Sequence, residues 1–279
     1  MKTAIAIYFS PTGNTKKIVK QFVSKNKEIE STFIDITLKQ NREKITELIN
    51  FHKLQPDYWI IGAPVYSGQI PKIVSEVFKN LDGKNIATIG IVTYGNKSFG
   101  ISLKQLNTIL SNQNFSTIAL GAFIGEHSYS EKFNVARNRP NNLDLDESKE
   151  FGKTVFASDP YKVNKYRITG KIDLIPKLMP KDGPKPYVSL SKCNHCNVCV
   201  KNCPVSALDE STKMFLNKEK EKECLSCMSC VKKCRSNARF YEIPAFIEYM
   251  LDRCYFKNAK KEYKVPSLYF GDSSVGIDH

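Results

Sequence analysis

Eight cysteines in two runs of identical spacing constrain this 279-residue chain more than any other feature. All nine cysteines of the chain lie beyond residue 190. Thiols grouped this closely in a reducing cytosol indicate metal or redox chemistry rather than disulfides. The two runs are Cys193, Cys196, Cys199 and Cys203, followed directly by Pro204, and then Cys224, Cys227, Cys230 and Cys234.

Zinc sites and disulfides are the alternatives to iron–sulfur clusters for these cysteines. Structural zinc sites usually show separated Cys-x2-Cys pairs with four thiolates per ion, and eight cysteines are enough for two such sites. A triplet at steps of three, followed by a fourth cysteine four positions later, is a different pattern. Because the pattern occurs twice, chance is a poor explanation, and the spacing favours iron–sulfur clusters.

The cysteine runs resemble those of bacterial two-cluster ferredoxins. In that family the fourth cysteine of each run ligates the other cluster. The resemblance therefore implies two [4Fe–4S] clusters, one held by Cys193, Cys196, Cys199 and Cys234, the other by Cys203, Cys224, Cys227 and Cys230. Arg235 stands where the family has a proline, and its charge would raise the potential of a cluster that it faces. His195 is predicted to be a solvated loop residue, and Cys254 a buried thiol on a helix.

The first 150 residues alternate strand-like and helix-like segments. This alternation predicts βαβ units and a doubly wound parallel sheet with helices on both faces. Trp59 lies within a strand segment and is expected to be a core residue. The predicted strands are residues 4–9, 32–36, 58–61, 86–93 and 117–124, and the predicted helices are residues 14–23, 42–48, 73–81, 101–110 and 144–156.

A polar loop joins the first strand to the first helix. It reads Ser10-Pro11-Thr12-Gly13-Asn14-Thr15. Hydroxyls and backbone amides at a helix N-terminus form a phosphate cradle, and a polar turn with a helix cap is the alternative. The loop has neither the triphosphate-binding pattern nor the dinucleotide-binding glycine pattern.

Two further loops follow the third and fourth strands. One contains Pro64, Val65, Tyr66 and Gly68, and the other contains Thr93, Tyr94, Gly95 and Asn96. In a sheet of order 2-1-3-4-5, all three loops meet at the carboxyl edge, beside the point where the strand order reverses. A phosphate cradle next to aromatic loops is what an FMN site requires.

These loops resemble those of the flavodoxin family over the first 150 residues. The resemblance implies a non-covalent FMN, with Tyr66 and Tyr94 stacking on its ring and Pro64, Val65, Gly68, Thr93, Gly95 and Asn96 in the flanking loops. The expected phosphate ligands are Ser10, Thr12, Gly13, Asn14 and Thr15. His127 is expected to be a solvated loop histidine. Residues 1–150 carry a net charge of +5, whereas flavodoxins are acidic, and residues 137–140 are additional to a minimal flavodoxin.

The two halves together resemble the flavodoxin–ferredoxin fusion proteins of anaerobes, sometimes called ferrodoxins. The predicted organisation is a flavodoxin-like domain at 1–157, a linker rich in proline and lysine at 158–186, and a small α+β ferredoxin-like domain at 187–242. A C-terminal region at 243–279 follows, with an amphipathic helix over 243–256 and a frayed end.

The expected function is electron transfer between the two clusters and FMN. A flavoenzyme that reduces a small molecule is the alternative, with Glu126, His127 or Tyr129 as proton donor, and a redox sensor is a third class. The formal net charge of +14 is compatible with acidic redox partner proteins, and no nucleic-acid motif is present. No apolar run is long enough for a membrane span, and the protein is expected to be cytoplasmic.

Overall fold

The computed structural model describes residues 1–24, 26–45, 47, 49, 55–158 and 183–271. Six strands in these residues form one sheet of order β2-β1-β3-β4-β5-β8. The first five are parallel, so the predicted order 2-1-3-4-5 is confirmed. The strands are β1 (Lys2–Tyr8), β2 (Ile29–Asp35), β3 (Tyr58–Pro64), β4 (Ala87–Tyr94), β5 (Ser116–Ile124) and β8 (Ser267–Phe270).

Helices cover both faces of this sheet. They are α1 (Asn14–Val23), α2 (Lys39–Glu43), α3 (Lys72–Phe78), α4 (Ser102–Asn112), α5 (Ser130–Phe133) and α6 (Asn142–Ala157). Alternate residues of β1 belong to two separate cores. Ile5 and Ile7 lie in the core under α3 and α4. Ala4 and Ala6 lie in the core under α1 and α6. The expected two-sided burial of a doubly wound sheet is confirmed. Trp59 is buried against Phe115, as predicted.

The sixth strand of the sheet comes from the far end of the chain. β8 pairs antiparallel with β5, with Leu120 opposite Tyr269. This strand was not among those predicted from the sequence pattern. An edge strand that is paired no longer presents free backbone groups, so the C-terminal region completes the first domain instead of trailing behind the second.

The cysteine-rich region forms a small α+β domain, as predicted. Its elements are β6 (Pro186–Val188), α7 (Val198–Lys201), α8 (Lys218–Glu223), α9 (Ser229–Lys232) and β7 (Arg239–Tyr241), with β6 and β7 antiparallel. The sequence duplication is visible in the backbone, because left-handed residues recur at equivalent positions of the two runs. The equivalent pairs are His195 and Ser226, Asn197 and Met228, and Ser206 and Asn237. Each run therefore turns in the same way around its cysteines.

The predicted C-terminal helix is interrupted. It consists of α10 (Ala245–Met250), a π-helical turn (Leu251–Tyr255) and α11 (Lys257–Lys261). The extra residue in a π-turn rotates the buried face, so Phe256 is buried while Phe246 is 72 % exposed. The prediction that Cys254 is buried was wrong, because its thiol is exposed.

Several predictions fall outside the described residues. Most of the predicted linker (159–182), two positions of the second predicted helix (46 and 48) and the predicted frayed end (272–279) lie there. Among the described helices, none is both long and apolar enough to cross a membrane.

A buried ion pair joins α6 to the C-terminal region. The guanidinium of Arg139 donates two hydrogen bonds to Asp144, one of them 2.9 Å from Nε to Oδ2, and another of 2.9 Å to the carbonyl of Lys264. Asp144 also caps its own helix by accepting from the backbone N–H of Asn141. Arg139 belongs to the segment that is additional to a minimal flavodoxin, and the structure gives that segment an anchoring role.

We expect Asp144→Asn to destabilise the protein by about 3 kcal/mol, because it leaves the buried Arg139 without its counter-charge. The matched control is Asp146→Asn on the same helix, because the exposed carboxylate of Asp146 pairs with Lys149 and such a pair is worth less than about 1 kcal/mol. Thermal unfolding of both variants measures the difference. Equal effects of the two substitutions would contradict this role of the buried pair.

Candidate functional site

The loop between β1 and α1 forms an open cradle at the carboxyl edge of the sheet. Gly13 has a φ of 92°, and a Cβ added to it would meet no atom within 4 Å. The hydroxyl of Ser10 accepts a hydrogen bond of 3.0 Å from the backbone N–H of Lys16. Backbone N–H groups in the first turn of a helix have no intrahelical acceptors, and together they favour an anion. The open space above Gly13, beside the helix N-terminus and the hydroxyl of Ser10, fits a phosphate group.

The three predicted loops are brought together at this edge. Thr15 and Thr93 share a buried hydroxyl–hydroxyl hydrogen bond of 2.6 Å, and Val65 donates its N–H to the carbonyl of Thr93 at 2.8 Å. The chain then turns tightly between Tyr66 and Gln69, whose backbone groups exchange two hydrogen bonds. The ends of β1, β3 and β4 therefore surround one site.

Tyr66 lies within this turn and is the aromatic residue best placed beside the cradle. Its side chain is partly buried and packs against the core under α3 and α4. Burial raises the pKa of its hydroxyl well above the usual 10.0, with Cys227 as the next contributor. Tyr66 thus stands between the cradle and the second cysteine run.

Tyr94, the last residue of β4, and Asn96 in the loop that follows are placed differently from expectation. Tyr94 is only 5 % exposed and packs edge-on against Phe99 in the core, which argues against the stacking role predicted for it. Asn96 is buried, and its amide donates to the carbonyls of Ala259 and Glu262, both at 2.8 Å. Asn96 therefore anchors the C-terminal region in this structure.

His127 is packed rather than solvated, so that prediction was wrong. Its ring lies against Gly95, where even a methyl group would collide with it, and edge-on to Tyr129 and Phe256. Its Nδ1 accepts a hydrogen bond of 3.0 Å from the backbone N–H of Tyr129. Burial, followed by the charge of Lys232, lowers the pKa of His127 from 6.5 to about 4. The imidazole is therefore neutral at pH 7.

Four cysteines line one open cavity in the ferredoxin-like domain. They are Cys193, Cys196, Cys199 and Cys234, and we call this set the outer cage. Cys196 is exposed, and so is His195, as predicted. The set is the one that the resemblance to bacterial ferredoxins implied for the first cluster.

The other four cysteines form a second set, Cys203, Cys224, Cys227 and Cys230, which we call the inner cage. Burial raises the pKa of Cys227 to about 12, and the nearby sulfurs of Cys224 and Cys203 add to this effect. Burial also raises the pKa of Cys230, with the same three cysteines contributing. Such thiols lose their protons readily only when a metal takes them as ligands.

Hydrogen bonds to sulfur distinguish these cages from ordinary thiol sites. The backbone N–H of Ala207 lies 3.3 Å from Sγ of Cys203, and that of Ala238 lies 3.2 Å from Sγ of Cys234. The two bonds occupy equivalent positions in the two runs. Donors aimed at cysteine sulfurs help to set the potential of an iron–sulfur cluster, so the thiols and their donors fit that cofactor. Within the described residues, no three His, Cys, Asp or Glu side chains are arranged to hold a single metal ion.

Arg239 is a buried cation of the outer cage, whose cavity it lines together with the buried Lys213. One guanidinium nitrogen lies 3.6 Å from Sγ of Cys199 and donates to the carbonyl of Lys213, while Nε has no hydrogen-bond partner among the described residues. Arg235, singled out in the sequence for this role, is exposed. Arg239 follows the cysteine motif, and no signal in the motif points to it.

The inner cage packs directly against the cradle. Ser229, between Cys227 and Cys230, donates its hydroxyl to the carbonyl of Pro11 at 2.6 Å, and this bond is buried. Leu225 packs against the same core as Tyr66. The guanidinium of Arg42 donates to the carbonyl of Pro204, just after Cys203. The two domains thus meet at their candidate cofactor sites.

Lys232 reinforces this junction from α9. Its ammonium donates to the carboxylate of Glu126 at 2.9 Å, to the carbonyl of His127 at 2.9 Å and to the hydroxyl of Ser130 at 3.1 Å. Burial would raise the pKa of Glu126, but hydrogen bonds from Ser130 and Lys232 lower it below its usual value. Glu126 is therefore a charged partner of Lys232. Ser229, Leu225 and Lys232 were not predicted, because spacing alone does not show which loop meets which surface.

Comparisons with known proteins agree with the iron–sulfur assignment. The model of a 4Fe-4S dicluster domain matches residues 185–235. No curated protein matches the sequence.

Among solved structures, several proteins of low sequence identity match a little more than half of this chain. Rubredoxin oxygen:oxidoreductase from Desulfovibrio gigas is 17 % identical, with a TM-score of 0.42 over 56 % of this chain and 35 % of its own. A flavodoxin from Archaea is 14 % identical, with a TM-score of 0.37 over 55 % of this chain and 95 % of its own. A Streptococcus pneumoniae flavodoxin is 12 % identical, with a TM-score of 0.40 over 56 % of this chain and 98 % of its own. This chain thus spans about a third of the oxidoreductase. The fold assignment rests on the strand order and the two cores described above.

An iron–sulfur domain therefore follows a flavodoxin-like α/β domain in one chain. This combination supports an electron-transfer or other redox function.

The packed, neutral His127 makes stability depend on pH. An unfolded histidine gains a proton below about pH 6.5, whereas the folded one gains it only near pH 4. Above pH 6.5 both states are neutral at this residue and folding carries no penalty. As the pH falls towards 4, only the unfolded state binds the proton, so the free energy of unfolding decreases progressively. Between pH 7.5 and 5.5 we expect the wild type to lose about 2–4 °C more in Tm than His127→Asn.

Anaerobic thermal unfolding at the two pH values measures this difference. His195→Asn is the control, since His195 is exposed and should leave the pH dependence of the wild type intact. The same loss of Tm in the wild type and in His127→Asn would show that the folded His127 titrates normally.

Proposed function

We propose that this chain is an electron-transfer protein in which two [4Fe–4S] clusters and a non-covalent FMN exchange electrons. In this proposal the outer cage and the inner cage hold one cluster each, and the cradle holds the FMN phosphate. The order along the path is outer cluster, inner cluster, FMN. The motif resemblance to the flavodoxin–ferredoxin fusion proteins of anaerobes supports the same function.

The packing of the inner cage on the cradle is the observation that carries this proposal. The Ser229–Pro11 hydrogen bond joins a residue between two inner-cage cysteines to a residue of the phosphate loop. Cys227 is 8 % exposed, whereas Cys196 is exposed. An inner cluster would thus lie beside the flavin site, and an outer cluster would face the solvent.

The two cofactor types complement each other chemically. An iron–sulfur cluster exchanges one electron at a time, and FMN takes up two electrons together with protons, so two cluster electrons reduce one flavin. Holding both in one chain keeps their effective concentration high without a docking step.

The protein's own residues orient and enclose the site. The cradle amides and Ser10 bind the phosphate, and Tyr66 offers its ring beside the inner cage. Lys232 and Arg42 fix the two domains against each other through partly buried hydrogen bonds. These contacts hold the two candidate cofactor sites close to each other.

The flavoenzyme alternative finds no specific support among the described residues. Glu126 is paired with Lys232, and His127 is neutral and packed under Phe256. Burial raises the pKa of Tyr129 well above its usual 10.0. The three candidate proton donors therefore serve the junction between the domains.

A charge placed in the cradle tests the FMN site. We expect Gly13→Asp to weaken FMN binding at least about 100-fold, because a carboxylate would then face the phosphate in a site of low dielectric. Gly13→Asn is the matched control, since both side chains fill the same space and both tolerate the left-handed backbone. Flavin fluorescence quenching gives both Kd values.

Riboflavin separates phosphate binding from ring binding in the same experiment. Its affinity should be the same in Gly13→Asp and Gly13→Asn, because it has no phosphate. If the two variants bound FMN equally well, the cradle would not be the phosphate site.

Removal of single cage cysteines tests the order of the path. We expect Cys227→Ala and Cys196→Ala each to lose about half of the iron and sulfide while keeping FMN, and Cys254→Ser to lose none. After flash reduction of the remaining cluster, FMN should be reduced about 100-fold more slowly in Cys227→Ala than in Cys196→Ala, because only the former lacks the inner cluster. Equal rates in the two variants would contradict the order, and zinc in place of iron would contradict the function.

A further inference from the structure

The residues around the outer cage, which we call its rim, differ from those that make the hydrogen bonds to the first domain. The residues that line its cavity all lie between Val188 and Arg239. The contacts to the first domain, in contrast, come from the inner-cage side, through Ser229, Lys232 and Pro204. None of these three contacts involves an outer-cage cysteine.

Positive charge is concentrated on this rim. Lys192, Lys201 and Arg235 are exposed, and each lies within two positions of an outer-cage cysteine. The segments 187–203 and 234–241 contain no acidic residue. Of the acids that follow Cys203, Glu210 accepts a hydrogen bond of 2.7 Å from Asn197, and Asp209 accepts from Ser211 and Thr212.

Apolar side chains are exposed beside these cations. Tyr187 and Phe240 face each other across the β6–β7 pair, with ring centroids 6.3 Å apart, and they are 49 % and 38 % exposed. Leu190 and Met214 are each 49 % exposed as well. Tyr187, Phe240 and Met214 are the chain neighbours of the cavity residues Val188, Arg239 and Lys213. Because side chains alternate along a strand, Tyr187 and Phe240 lie on the outer face of the β6–β7 ribbon, whose inner face lines the outer cage.

We infer that this rim is the docking surface for an acidic protein that carries one electron at low potential. The inference deepens the proposed function, on which it rests. On docking, one electron leaves the reduced centre of the partner and enters the outer cluster, and no bond or proton is transferred. The lysines and arginine steer an acidic partner, and the exposed apolar side chains give a small dry contact of the kind found in transient redox complexes.

The combination of features favours a protein over a polyanion. A nucleic acid or an anionic membrane would use the cations but would gain nothing from tyrosine, phenylalanine and methionine placed around a redox centre. A surface that serves only solubility would not concentrate its cations at the exposed cluster.

The test uses the full chain, purified anaerobically, with a reduced acidic plant-type [2Fe–2S] ferredoxin as the probe. The docking variant combines Lys192→Glu, Lys201→Glu and Arg235→Glu. The control combines Lys17→Glu, Lys27→Glu and Lys79→Glu on the exposed surface of the first domain, with the same change in net charge. Stopped-flow mixing measures the second-order rate constant, and calorimetry measures the Kd of the oxidised partners.

We expect the docking variant to slow electron transfer from the ferredoxin about tenfold or more at low ionic strength, and to weaken its binding similarly. The difference should shrink as salt is added. The control should stay within about twofold of the wild type. Reduction by the methyl viologen radical, a small cation, should be no slower in either variant, which shows that the clusters are intact.

Equal slowing of the two variants would overturn the inference, because only total charge would then matter. Unchanged rates in the docking variant would overturn it too. So would a docking variant that no longer binds a DNA duplex or phosphatidylserine vesicles but still reacts with the ferredoxin as the wild type does. If methyl viologen reduced the clusters but their electrons never reached FMN, the proposed function would fail while the docking surface stood.

Discussion

The structure depends on the burial of the inner cysteine cage against the loop that follows β1. Buried thiols and a phosphate cradle are both costly to place in an interface unless their polar groups are paired. Here Ser229 bonds to Pro11 and Lys232 bonds to Glu126, His127 and Ser130, while the buried hydroxyl of Ser226 has no partner among the described residues. The same contacts bring the two candidate cofactor sites together.

The C-terminal region makes this arrangement more than a simple tandem of domains. After the second cysteine run the chain returns to the first domain, where Phe256 covers His127, Asn96 holds α11, and Arg139 reaches the carbonyl of Lys264. β8 then pairs with β5. The chain that follows the ferredoxin-like domain is therefore packed on the first domain. A junction fixed in this way suits a relay whose rate depends on distance.

The parts of the account that the sequence could predict are local. Alternating periodicities are enough to predict the parallel sheet, the resemblance to flavodoxins implies its strand order, and spacing is enough to group the cysteines into two runs. The direction of a side chain at a strand end is not local information. Both faces of β4 are buried, so its sequence has no polar–apolar alternation to show which way a side chain points. The sequence alone could therefore not show that Tyr94 packs in the core. Likewise, the π-turn before Phe256 shifted the buried face of a helix that looked regular, and exposed Cys254.

Iron-edge anomalous diffraction from crystals of the anaerobically purified protein tests the central claim most directly. The account predicts iron in both cages, with the inner iron beside the Tyr66 turn and flavin density above Gly13 in the same crystals. Iron confined to the outer cage, zinc in either cage, or flavin bound away from the inner cage would contradict it.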